Sequence, residues 1–136
     1  MTPRWRFLLT ALAVLALAAL VWGQSAKDTY KGLKYDKKTE GKFAGKVDEV
    51  MDFDCPVTQT MGNHVALKTL TSRMIVHVAP VKFMKEYGLE LNKGDEIEVL
   101  GSKLKDANGD ETLLAREIIK GNQRIIVRDE NGKALW

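Results

Sequence analysis

From Gly41 onward, apolar and polar residues alternate in short runs broken by glycine, proline and asparagine, a pattern that predicts strands. The clearest runs flank Thr71-Ser72 and predict a β-hairpin over His64 to Pro80. Val65, Leu67 and Thr69 share one parity on its first strand, as do Met74, Val76 and Val78 on its second, so these six are the predicted inward set. The opposite parity carries His64, Lys68, Arg73 and His77, which places both histidines of the chain on one outer face. A two-residue turn sets His64 against Ala79 and Ala66 against His77. The imidazoles are then diagonal neighbours roughly 7–8 Å apart at Cα.

The remaining runs extend this picture. Gly41 to Phe53 predicts a first strand, with a bulge or bend at Gly45, and Asp54 to Asn63 a loop broken by Pro56 and Gly62. Pro80 to Gly88 predicts a short helix whose Phe83, Met84 and Tyr87 plug the open end of the sheet. Gly94 to Ser102 and Thr112 to Ile119 predict the fourth and fifth strands, joined through an Asn108-Gly109 turn. Arg124 to Val127 and the Asn131-Gly132 turn form a C-terminal extension. The fold class predicted is all-β with one short helix: a five-stranded OB-fold-like barrel with a C-terminal strand or hairpin added.

Several stretches carry a family likeness. Gly45-x-Val47, Met61-Gly62, Val76-His-Val-x-Pro80, Gly94-Asp-x-Ile-Glu-Val-x-Gly-Ser102, Ala115-Arg-Glu-Ile-x-Lys-Gly121, Arg128-Asp-x-x-Gly132 and Trp136 together resemble small exported bacterial OB-fold proteins of the periplasmic type. The resemblance covers residues 41 to 136. It implies the barrel and says little about activity, because one fold hosts many functions.

Arg4 and Arg6, the apolar run Phe7 to Trp22 and the small residues after it have the layout of a secretory signal. The expected division is a signal peptide over residues 1–23, a lysine-rich flexible arm over 24–42 and the OB-fold domain over 43–136, with a periplasmic or secreted location. Membrane association is expected only if the signal stays uncleaved. Loss of Arg4 and Arg6 with the signal takes the formal charge from +3 to +1. That near-neutral balance, and the lack of any aromatic residue between His64 and Pro80, argue against nucleic acid as a partner.

The candidate chemistry is a metal set of Cys55, Met61, His64 and His77, since thiolate, thioether and imidazole suit a soft or borderline ion such as copper, or zinc with a subset of these ligands. Asp48, Glu49, Asp52 and Asp54 nearby attract a cation and raise a bare thiol's pKa. Lys68 and Arg73 are candidate contacts for an acidic ligand or envelope protein. No nucleophile motif is present, and Cys55 beside acids is a poor thiolate, so no enzyme is expected. The sequence therefore predicts a non-catalytic exported binding or adaptor module of the cell envelope, with a copper- or zinc-binding protein as the alternative. A metal site would weaken as pH falls through about 6.5, whereas an anion site would strengthen.

Overall fold

The computed structural model describes residues 25–136; the expected signal peptide lies outside these residues. Six strands follow in chain order: β1 (Glu40–Asp54), β2 (Met61–Lys68), β3 (Arg73–Pro80), β4 (Glu96–Lys105), β5 (Glu111–Lys120) and β6 (Gln123–Ile126). A short helix α1 (Ala26–Thr29) precedes them and α2 (Val81–Glu86) separates β3 from β4.

The fifteen-residue β1 serves two halves of the barrel. Its first half pairs with β4 through Glu40 to Lys46, and its second with β2 through Lys46 to Asp54. Parallel pairing of β3 with β5 closes the ring, and β6 lies outside it on the far edge of β5. The barrel predicted from the sequence is thus present, with its extra strand, as an all-β, OB-fold-like structure. Val47, Val65, Leu67, Val76, Val78, Val99 and Ile118 fill its interior. Phe83 and Met84 of α2 cap one end, with Trp136 packed against them, whereas Tyr87 is exposed and is not part of that plug.

Gly45 stands where β1 changes partner, but it is not the bulge, which falls between Val47 and Glu49. A Cβ at Gly45 would collide with the backbone carbonyl of Lys68. Glycine is needed there because two strands approach too closely for any side chain.

The hairpin turn is longer than predicted. Thr69 is not an inward residue: its Oγ1 accepts hydrogen bonds from the amides of Thr71 (3.3 Å) and Ser72 (3.0 Å), and its own N–H donates to the Ser72 carbonyl at 2.9 Å. This side-chain bonding makes Thr69 to Ser72 a four-residue loop and shifts the register. His64 therefore pairs directly with His77 rather than diagonally. The other five predicted inward residues are buried.

The lysine-rich segment is likewise not a free arm. The Ala107 N–H donates to the Thr29 carbonyl at 2.9 Å, the Asp36 N–H to Ser102 Oγ at 3.1 Å, and Tyr30 stacks on Phe53. Few apolar residues suffice because each lands on the barrel, while the lysines stay in solvent. Barrel pairing also begins at Glu40, three residues before the expected domain boundary.

Gly45→Ala should lower stability by about 2 kcal/mol through this backbone collision. Gly32→Ala meets no atom within 4 Å but has φ +77°, so it suffers only conformational strain. Urea unfolding of the two variants should rank Gly45→Ala as clearly the worse.

Candidate metal centre

Direct pairing brings the two imidazoles together edge to face, with ring centroids 4.8 Å apart. They share the outer face of β2 and β3, as predicted, but that face is covered: His64 is 0% and His77 1% exposed. Phe53 lies flat on His64, centroids 3.7 Å apart at 9°, and Tyr30 meets His77 edge-on at 4.4 Å. The loop after β1 supplies Cys55, which is 2% exposed and so is covered against pairing with a second chain.

Hydrogen bonds settle which atom of each ring is free. His64 Nδ1 lies 2.9 Å from the Gly62 carbonyl, which can only accept, so Nδ1 carries the proton and Nε2 keeps a lone pair. That Nε2 is buried and has no hydrogen-bond partner among the described residues. His77 Nε2 lies 2.9 Å from Thr112 Oγ1, whose own proton goes to the Ile75 carbonyl at 2.7 Å. Nε2–H of His77 is therefore the donor, and Nδ1 is left as an acceptor 3.6 Å from Cys55 Sγ. One ligand atom from each of Cys55, His64 and His77 lies within 4.8 Å of the other two.

Electrostatics favour the neutral rings. Burial pushes His64 down to about 4, with the carbonyls of Gly62 and Met51 and the charge of Asp52 pulling more weakly upward. Burial also takes His77 down to about 3, helped by His64 and by Arg128. The Cys55 thiol is raised chiefly by burial; the Val57 and Thr58 amides oppose this by favouring the thiolate, and Asp54 adds a small push upward. The acid flank is thus a minor cause, and desolvation the main one.

The loop carrying Cys55 is tightly held. The buried Thr58 hydroxyl lies 3.3 Å from the Cys55 carbonyl and 2.9 Å from that of Thr60, and the Cys55 N–H donates to Thr60 at 3.2 Å. A side chain at Gly62 would strike Thr58, so glycine there lets the loop lie against β2.

Met61, the fourth predicted ligand, is set apart. It alternates with Gly62 and His64 on β2, pairs with Asp54 and is 48% exposed. Lys68 and Arg73 share the histidines' face but stand at the exposed hairpin end. Arg73 is already engaged, Nε with Asp48 at 3.0 Å and Nη2 with Glu49 at 3.2 Å.

Residues 39–125 match the family described as the MamS/MamX magnetosome protein family, a range that holds all three clustered residues. The chain belongs to that family. It is a different family from the exported OB-fold proteins suggested by resemblance; the OB-fold-like barrel is the part of that expectation that holds. No curated protein matches the chain. Among solved structures, the mitochondrial single-stranded DNA-binding protein of S. cerevisiae is similar at 12% identity and a TM-score of 0.43, over 65% of this chain and 96% of that one.

Tyr30, Phe53 and Thr112 complete the family member's cluster and were not candidates from the sequence. Strand pairing explains two of them: Phe53 lies two residues from Met51, which pairs with His64, and Thr112 lies two residues from Leu114, which pairs with His77, so each shares the face of its histidine.

The metal-free protein should lose stability in acid. Unfolded histidines take up protons near 6.5, while the folded ones refuse them until about 4 and 3, so the unfolded state binds more protons below 6.5 and stability falls as pH falls. At about 1.4 kcal/mol per histidine for each pH unit, several kcal/mol should go between pH 6.5 and 4.5. Urea unfolding should show this loss, and His64→Gln should remove roughly half of the histidine-dependent slope.

Proposed function

We propose that this chain is a non-catalytic metal-holding barrel of the cell envelope, with Cys55, His64 and His77 as ligands and copper(I) as the ion. The observation that carries this reading is the convergence of three donor atoms, each histidine having its other nitrogen pinned to a fixed oxygen. Such outer partners orient metal-binding imidazoles.

Charge selects the ion. Copper(I) with one thiolate and two neutral imidazoles carries no net charge, so it can sit beneath Phe53 and Tyr30 without a large desolvation cost. Zinc(II) with the same ligands keeps one uncompensated positive charge and seeks a fourth donor, and no carboxylate joins the cluster among the described residues. The non-catalytic part is supported by a buried thiol held protonated and by family membership that fits an accessory role. The signal-like residues 1–23 support the envelope location in this reading.

Protein purified without chelator from its own envelope should hold about one copper per chain, and the near-isosteric Cys55→Ser variant should retain less than about a tenth of it. Elemental analysis checks both. Wild-type protein that holds neither copper nor zinc above background ends the proposal.

Binding should also strengthen about tenfold per pH unit between pH 5 and 8, because one thiol proton is displaced. The step near 6.5 expected for ordinary histidines should be missing, moved below about 4 by burial. Competition titration with a copper(I) chelator over pH 4–8 measures this slope.

A further inference from the structure

Arg128, just beyond β6, is a buried charge without a counter-charge among the described residues. It is 9% exposed, and among the described residues no carboxylate lies within ion-pair distance of it. Its Nη1 donates to the Gly132 carbonyl at 2.9 Å. Its Nε is buried and has no hydrogen-bond partner among the described residues. The Trp136 and Tyr35 rings lie 5.0 and 5.7 Å from its guanidinium carbon, which offsets part of the cost of burial but supplies no acceptor. A buried guanidinium is ordinarily paired.

The same protein shows what the unpaired edge of this side chain is suited to hold. Arg73 uses Nε and Nη2 on Asp48 and Glu49, and Arg124 uses Nε and Nη2 on the two oxygens of Glu117. On Arg128 the corresponding edge makes no hydrogen bond among the described residues. Arg128 lines a cleft of about 570 Å³ together with Lys34 and Lys133, both exposed and in no ion pair among the described residues. Among the described residues, three cations line that cleft and no aspartate or glutamate does.

We propose that this cleft binds a small carboxylate, and best a dicarboxylate, with one end on the Nε/Nη2 edge of Arg128 and the other on Lys34 or Lys133. A carboxylate is planar and matches the guanidinium edge with two parallel hydrogen bonds, as Glu117 does on Arg124 of this chain. The site stands apart from the metal reading, since neither the Cys55 thiol nor either imidazole contributes to it.

Succinate is the probe, titrated into the full-length metal-free protein at constant ionic strength, with phosphate and chloride as controls. The Arg128 Nε–H resonance should shift saturably with succinate, with a dissociation constant of about 1 mM or below. Arg128→Lys, which keeps the charge and loses the fork, should weaken binding at least about tenfold, and Lys34→Ala with Lys133→Ala should weaken succinate more than acetate. An Nε–H resonance that does not move at saturating succinate overturns the site. Binding of phosphate as tight as that of succinate overturns the carboxylate assignment. If Arg128→Lys does not fold, the wild-type resonance decides alone.

Discussion

Two neutral imidazoles in edge-to-face contact inside a buried pocket survive only while protons are kept off both, and burial supplies that condition here. The constraint reaches further than the rings. Each imidazole must spend its single N–H on an oxygen that cannot donate back, or else an orphan proton would be buried beside the sulfur. Gly62 and Thr112 provide those oxygens from two different strands. The lone pairs left on His64 Nε2 and His77 Nδ1 follow from this arrangement and need no ion to hold them in place.

The barrel makes this placement possible by closing. β3 reaches β5 only because the parallel pairing seals the ring, and that seam puts Thr112 beside His77. β1 contributes at its far end, where Phe53 covers His64 and the chain turns at Cys55. Gly45 and Gly62 are the close approaches that allow this: one lets β1 bend across β2, the other lets the 55–60 loop lie against β2. A fold usually described by its open binding face here has that face covered by Tyr30 and by a loop.

Much of the barrel was legible because strand parity and glycine punctuation are local. Val65, Leu67, Met74, Val76 and Val78 had to point inward under either turn length, since shifting the pairing by two residues preserves parity. The same periodicity put His64 and His77 on one face. Their direct contact was not legible, because it depends on the Thr69 hydroxyl choosing a four-residue loop, a local hydrogen-bond choice that alternation does not encode. Tyr30 was hidden for another reason. It sits among lysines, and only the docking of that segment on the barrel reveals an anchor where composition suggests a solvated tail. Arg128 was hidden because a charged residue in a C-terminal turn gives no sequence sign that it is buried.

Arg128 also bears on the Cys55, His64 and His77 cluster, and the order of causes shows how strongly. Its charge helps keep His77 unprotonated, but it ranks behind burial and behind His64. Cancelling it with an anion in the cleft would remove the smallest of the three causes and leave the ring neutral at physiological pH. The Cys55 loop forms part of the cleft wall through Pro56, Val57 and Gln59, so the two regions touch. They share structure, and their proton balance is linked only weakly, through the charge of Arg128. The neutrality of the histidines is therefore set chiefly by packing under Phe53 and Tyr30, with the charge of Arg128 a lesser cause.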